Sequence, residues 1–183
     1  MRIAALVTFG FILLLVPTRP ASAQERYSAL AVNLREGSLQ TSLVGVSVER
    51  WSDDAEKARY LEILKTQGTL VLFEAFRHAG RVGHLSIADH VELDVEYAVA
   101  IPQADGSRRV LLLGYRNVSL NEEGNNTSRS RFRFIAVELR LKPKGDGEGL
   151  LALQADVSIG KNDELQFVDF ASPSTLLKRV KSR

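Results

Sequence analysis

The residues best suited to chemistry in this chain lie between positions 78 and 96. That stretch holds every histidine of the sequence and three alternating carboxylates: His78, His84, His90, Glu92, Asp94 and Glu96. Imidazole and carboxylate groups are common metal ligands and proton carriers. The stretch therefore supports one hypothesis of activity, a small metal-dependent or acid/base hydrolase that uses His84, His90, Asp94 and Glu96.

A structural interpretation accounts for the same residues and is favoured. The spacing of the histidines matches no catalytic or metal-binding motif, and His78 falls in the last turn of a predicted helix, near the negative end of the helix dipole. Glu92, Asp94 and Glu96 are expected to project from one face of a strand about 7 Å apart, where arginines on the next strand are their ordinary partners. We therefore assign no catalytic, metal-binding or cofactor-binding residue from the sequence.

Composition and motifs exclude several further kinds of site. The chain contains no cysteine, so thiol nucleophiles, cysteine-bound metals and disulfides are ruled out. It carries no phosphate-binding loop, nucleophile elbow, zinc-binding helix or EF-hand loop. The glycine-rich run at 145–149 lacks the alternating acidic ligands of a calcium loop and predicts a hairpin turn instead.

The first 23 residues have the pattern of a secretory signal peptide. Arg2 precedes an apolar, uncharged run over 3–16, and small residues end the segment, as such peptides require. The run is short against the roughly 20 residues of a membrane-spanning helix. We predict cleavage between Ala23 and Gln24, a single domain over 24–183 and a secreted or periplasmic product. Since no cysteine is present to carry a lipid, no membrane anchor is expected after cleavage.

The overall charge of +2 and the isoelectric point near 9.0 invite a nucleic-acid interpretation, which the sequence does not sustain. Loss of Arg2 and Arg19 with the first 23 residues leaves 22 basic and 22 acidic side chains. One stretch alternates basic and aromatic residues: Arg129, Arg131, Phe132, Arg133 and Phe134. Because the two types fall on opposite faces of a strand, they cannot stack on bases and contact phosphates together. We predict no nucleic-acid partner.

The remaining chain predicts short strands around one helical hairpin. Ser52 offers a capping hydroxyl before acidic residues, Thr69 can cap a second helix and Gly80 stops it, which gives an αα-hairpin at about 53–79. Period-two alternation predicts strands over 27–35, 41–51, 91–101, 107–116, 131–142, 151–159, 164–170 and 176–181. The first of these is expected to place Leu30, Val32 and Leu34 on one face.

The clearest register prediction concerns the strand over 91–101 and its successor. Residues 104–106 have the composition of a three-residue hairpin loop with glycine in the left-handed position. That loop places Val99 opposite Leu111 and Asp94 opposite Arg116. In the strand over 131–142 the apolar phase changes after Phe134, which predicts either a bulge or burial of both faces.

Together these elements predict an α+β fold that is mainly antiparallel β. About seven or eight strands are too many for a strongly twisted sheet to stay flat, so we expect a curled sheet, a partial barrel or a sandwich, with the αα-hairpin packed on it. No linker, repeat or low-complexity block interrupts it.

Several segments in a fixed order resemble an uncharacterised family of small secreted bacterial proteins with no assigned activity. They are Val46–Ser52, Gly106–Val110, Ser128–Phe134, Val137–Leu141, Gly147–Gly149 and Val180–Arg183. The resemblance spans nearly the whole chain after Ala23 and implies export, but it carries over no catalytic residue.

The sequence thus predicts an exported, non-enzymatic β-rich module. We expect it to bind an unidentified protein or a small apolar ligand in the concavity of its sheet, or to have a structural role in the cell envelope. The hydrolase hypothesis remains the alternative, and it requires His84, His90, Asp94 and Glu96 to converge in a cleft.

Overall fold

A computed structural model describes residues 24–35, 38–88, 91–115, 134–144, 146–170 and 174–183. Within these ranges the chain forms ten strands and two helices: β1 Glu25–Arg35, β2 Ser38–Val48, α1 Asp54–Gln67, α2 Thr69–Arg77, β3 Gly83–Ile87, β4 Val91–Val95, β5 Tyr97–Pro102, β6 Arg108–Tyr115, β7 Phe134–Leu141, β8 Gly147–Ile159, β9 Leu165–Phe170 and β10 Thr175–Ser182. Neither described helix combines the length and the apolar character that crossing a bilayer demands.

The strands form one antiparallel sheet in the order β4-β3-β2-β1-β10-β8-β7-β6-β5, with β9 added alongside β8. The sheet curls without closing into a continuous hydrogen-bonded barrel in the described part of the chain. The predicted α+β class, with a curled sheet and an αα-hairpin, is confirmed. The strand count is higher than predicted for two reasons: β3 has no clear alternation in the sequence, and the strand expected over 91–101 is divided at Glu96.

The division at Glu96 brings the two ends of the strand order together. β4 and β5 are separated in the chain by this one residue, yet β4 pairs with β3 and β5 pairs with β6. The Glu96 N–H donates to the Leu113 carbonyl oxygen at 3.0 Å. A side chain at Gly114 is excluded, because a Cβ there would lie 2.3 Å from the Asp94 carbonyl oxygen. The bend thus depends on glycine at this close approach.

The bend also changes which face each side chain occupies. In a regular strand, residues two apart share a face. Val95 nevertheless belongs to the core cluster on the inner side of the curl, whereas Tyr97 belongs to the cluster beneath the helices. The uninterrupted alternation of the sequence therefore conceals a change of face.

The inner side of the curl is filled by buried side chains, including Val44, Val46, Leu85, Leu112, Leu139 and Leu177. On β1 the inward residues are Tyr27, Ala29 and Ala31. The expected face of Leu30 and Val32 is the less buried one, and the side chain of Leu34 lies outside the description. Small alanines on the inner face fit the dense packing of a narrow curl.

A polar cluster crosses this inner side. β1 and β6 are not neighbours in the sheet, but Arg108 donates from Nη1 to Glu25 Oε1 at 3.1 Å and from Nη2 to the Tyr27 hydroxyl at 2.8 Å. The same guanidinium lies 5.9 Å from the centre of the Trp51 ring. Burial raises the pKa of the Glu25 carboxyl, but the hydrogen bonds from Arg108 and Tyr27 outweigh it and hold that pKa below its usual value.

The helices cover the outer face of the β5–β9 part of the sheet. Their buried rings pack edge to face: Phe76 lies 4.8 Å from Tyr60 and 5.6 Å from Phe134 between ring centres. Phe134 belongs to this outer cluster and Ile135 to the inner one. Both faces of β7 are therefore buried here, which is one of the two arrangements predicted for the change of apolar phase after Phe134. A register shift lies beside Phe134 as well, on the pairing with β8.

The helix starts differ from the predicted caps. Asp53 caps α1: its carboxylate accepts a hydrogen bond from the Glu56 N–H at 2.8 Å, and its own backbone N–H donates to the Glu56 carboxylate. Ser52 instead accepts from the Ala98 N–H at 3.1 Å and so ties the helix start to β5. Thr69 is already helical, and Gly68, with φ of 83°, occupies the cap of α2.

The predicted hairpin between β5 and β6 is confirmed in register. Val99 pairs with Leu111, and Gly106 has φ of 77°. Asp94 pairs with His84 across β4 and β3, and its predicted partner Arg116 lies outside the described residues.

Candidate functional site

The four residues of the hydrolase hypothesis do not form one cluster. His84 and Asp94 face each other on β3 and β4, Glu96 is buried at the bend, and His90 lies outside the described ranges. No set of three or more His, Asp or Glu side chains in the described chain is arranged to hold a metal. His78 is exposed just after α2.

Asp94 and His84 contact charged neighbours. Arg81 bridges two carboxylates, with Glu49 Oε1 at 3.1 Å and Asp94 Oδ1 at 3.5 Å. His84 Nδ1 lies 3.5 Å from the same Glu49 oxygen. The predicted common face of the three carboxylates is wrong for Glu96, because the bend turns it away from exposed Glu92 and Asp94 into the protein. These contacts agree with the structural interpretation of the acidic strand.

Glu96 carries the most perturbed carboxyl near the bend. Burial raises its pKa to about 7, although the Tyr115 N–H donates to Oε2 at 3.0 Å and favours the charged form. The negative charge of Asp94 adds to the upward shift. A pKa near neutrality is typical of acid/base catalysts, but the contacts of Glu96 are those of a backbone bend, and we assign it a structural role.

The helices leave open the outer face of β1, β2 and β3, as they do that of β4 and β10. No described residue of β1, β2 or β3 belongs to the cluster beneath α1 and α2. Leu43, on this face, has 46% of its surface exposed. A depression in the surface of a rigid sheet is a usual setting for a binding site.

The register of the three strands builds a groove across this face. Ser28, Gly45 and Ser86 lie opposite one another on β1, β2 and β3 and form its floor. Because these side chains are small, the row is lower than its neighbours. The groove has a volume of about 360 Å³, and its other lining side chains include Arg26, Leu43, Ser47, His84 and Arg183.

One wall of the groove carries positive charge at its β1 end. Arg26 lies opposite Ser47, and Ser47 lies opposite His84. With strands about 4.8 Å apart, this row spans about 10 Å. Arg183 joins Arg26 at the β1 end, where its backbone N–H donates to the Arg26 carbonyl oxygen at 2.8 Å. The opposite wall carries Leu43, so the groove offers positive charge on one side and an apolar contact on the other.

A second cleft, of about 320 Å³, lies between α1 and β5. Burial, with a smaller contribution from the nearby Glu164 carboxylate, raises the pKa of Tyr97 in its floor to about 12. Its charged rim groups are already paired: Asp163 with Lys65 at 2.6 Å, and Glu164 with Arg109 at 2.6 Å. Since satisfied ion pairs leave little for a polar ligand to gain, the groove on β1–β3 is the stronger candidate.

Sequence reasoning located His84 but missed the groove around it. A signal was present, because glycine and serine alternate with valine at 44–48, which indicates one strand face without bulk. The pairing of this face with Ser28 and Ser86 depends on long-range register, and alternation within one strand does not encode that.

Comparison with known proteins found no matching family model, curated protein or solved structure. The resemblance to a secreted bacterial family stays a prediction.

The raised pKa of Glu96 predicts how stability depends on pH. Because the folded pKa of about 7 lies above the ordinary value of 4.5, the folded protein binds more protons between these pH values, and the free energy of unfolding falls as pH rises through them. Glu96→Gln removes this penalty. We expect the free energy of unfolding of the variant, taken relative to wild type, to rise by about 1–3 kcal/mol from pH 5 to pH 8, as measured by urea denaturation at the two pH values.

Glu92→Gln is the matched control, because Glu92 is exposed on the adjacent strand. The difference in free energy of unfolding between Glu92→Gln and wild type should be the same at pH 5 and at pH 8. A Glu96→Gln variant whose difference from wild type is equally constant would contradict a buried, protonatable carboxyl at the bend.

Proposed function

We propose that this protein is an exported, non-enzymatic binding module that holds a small ligand on the open outer face of β1–β3. The observation that carries the proposal is the groove itself: a floor of Ser28, Gly45 and Ser86 between a wall with positive charge at its β1 end and exposed Leu43. Helices cover the outer face of the β5–β9 part of the sheet, whereas this face is open to a ligand.

Packing on the inner side supports an external site. Side chains such as Val44, Leu85 and Leu112 are at most 1% exposed there, and the Arg108 cluster crosses the same space. A carrier of the kind that encloses a lipid needs an open apolar cavity instead. The concavity considered from the sequence is therefore not where we place the ligand.

The hydrolase alternative is not favoured. His84 and Asp94 lie on the exposed face in ion-pair contact with Glu49 and Arg81, while Glu96 is buried at the bend. A nucleic-acid partner is not proposed either, since Phe134 of the basic-aromatic stretch is fully buried beneath α2.

Export is the second part of the proposal and rests on the basic, apolar and small-residue regions of residues 1–23. Such a segment is removed after translocation. When the full-length gene is expressed in a secreting bacterial host, the protein recovered outside the cytoplasm should begin at Gln24, as read by amino-terminal sequencing and intact mass. Retention of Met1 on a cytoplasmic product would contradict export.

Binding on the open face is tested by mapping where ligands contact the protein. In amide ¹H–¹⁵N spectra recorded against a library of charged and neutral small metabolites, the compounds that bind should shift residues lining the groove, such as Ser28, Gly45 and Ser86. Ser28→Tyr fills the floor and should abolish these shifts.

Thr41→Tyr is the matched control for that experiment. Thr41 is exposed on β2 of the same sheet and is not among the groove residues, so binding should survive there. The proposed function would be contradicted if the ligand-induced changes in amide chemical shift centred on the cleft between α1 and β5. It would also be contradicted if these changes were lost equally in Ser28→Tyr and Thr41→Tyr.

A further inference from the structure

Arg26 on β1 and Arg183, just after β10, place two like charges at one end of the groove. The backbone N–H of Arg183 donates to the carbonyl oxygen of Arg26, and both side chains line the groove. Like charges placed side by side across strands are unfavourable unless a counter-charge lies between them. An anion bound between the two guanidinium groups would relieve this repulsion.

The contacts of the two guanidinium groups supply no counter-charge. Arg26 Nη2 donates to the amide oxygen of Gln24 at 3.3 Å, and Arg183 Nε donates to the hydroxyl of Ser28 at 3.2 Å. Both partners are neutral, and neither arginine forms an ion pair with a residue that the structure describes. Each guanidinium keeps further N–H groups for another acceptor.

Most other described arginines are paired with a glutamate. The pairs are Arg50–Glu56, Arg77–Glu74, Arg81–Glu49, Arg108–Glu25, Arg109–Glu164 and Arg140–Glu138. Arg59 and Arg179 have no such partner in the described chain, but neither lines the groove. Arg26 and Arg183 thus stand out as two arginines without a glutamate partner that line the same open groove.

The floor of the groove indicates the rest of the ligand. The hydroxyl groups of Ser28 and Ser86 donate and accept hydrogen bonds, and they flank Gly45. A Cβ at Gly45 would lie 2.5 Å from Ser86 Oγ, so glycine leaves that hydroxyl in place at the floor. A hydroxylated ligand matches such a floor, and the carbon face of a sugar-like body matches Leu43 on the opposite wall.

We infer that the groove binds a small hydroxylated acid, whose carboxylate or phosphate group lies between the guanidinium groups of Arg26 and Arg183. Guanidinium forks bind both kinds of oxyanion through paired, charge-assisted hydrogen bonds. The body of the ligand extends over Ser28, Gly45 and Ser86 toward His84, a distance of about 10 Å across the strands. This inference rests on the proposed binding function and names the chemistry of its ligand.

The test uses three probes that differ only in their charged group. Glucuronate carries a carboxylate, glucose 6-phosphate carries a phosphate, and glucose is the neutral control. The purified protein is titrated with each at low ionic strength, and amide ¹H–¹⁵N shifts are followed for wild type, Arg26→Gln, Arg183→Gln and Arg140→Gln. Arg140 is a matched control because it is an exposed arginine of the same sheet outside the groove.

At least one of the two acids should bind saturably to wild type with shifts at Arg26, Ser28 and Ser86, and glucose should bind at least tenfold more weakly. Arg26→Gln and Arg183→Gln should each weaken that acid at least tenfold, since each removes one of two charge-assisted contacts, whereas Arg140→Gln should bind as wild type does. The stronger of the two acids identifies the oxyanion.

Three results would overturn the inference: neither acid binds, glucose binds as tightly as the acids, or Arg140→Gln loses as much affinity as the groove variants. The last result would mean that net charge alone attracts the acid. If neutral compounds of the metabolite library still map to the groove in any of these cases, the proposed function stands and the acidic ligand alone is wrong.

Discussion

The bend at Glu96 is the constraint on which the rest of this structure depends. One residue separates a strand that pairs with β3 from a strand that pairs with β6, so the sheet must curl until its two ends meet. Gly114 permits the required backbone contact with Asp94. The carboxyl of Glu96 occupies the same junction and is held there by the Tyr115 N–H. Burial of this carboxyl costs stability once it ionises.

The same bend determines where the helices lie. β5 emerges with Tyr97 on the outer face, where it packs with Tyr60 and Phe76, and Ala98 is joined to Ser52 just before α1. These contacts hold the αα-hairpin on the β5–β9 part of the sheet. The outer face of β1–β3 is left open as a consequence, and its small side chains and paired arginines give the protein a groove rather than a flat surface. A stability constraint in one half of the sheet thus leaves the outer face of the other half uncovered.

The sequence predicted the elements that local physics controls. The helical hairpin follows from capping residues and from Gly68 between the helices, although the carboxylate of Asp53 competes successfully with the hydroxyl of Ser52 for the cap. The predicted stop at Gly80 is wrong, because α2 already ends at Arg77. The β5–β6 register follows from the loop that contains Gly106. Alternation could not reveal the division at Glu96, because apolar residues continue at every second position while the face they occupy changes. It also did not reveal that the inward residues of β1 are Tyr27, Ala29 and Ala31, which fit the narrow interior better than leucines do. The groove could not be predicted from the sequence for a related reason: long-range strand pairing brings Ser28, Gly45 and Ser86 together.

A crystal structure of the protein grown with glucose 6-phosphate or glucuronate tests the central claim, a ligand groove on the open face, most directly. The account predicts density for the acid over Ser28, Gly45 and Ser86, with its oxyanion within hydrogen-bond distance of both Arg26 and Arg183. An acid bound in the cleft between α1 and β5, or a groove that stays empty while the two guanidinium groups point away from each other, would contradict it.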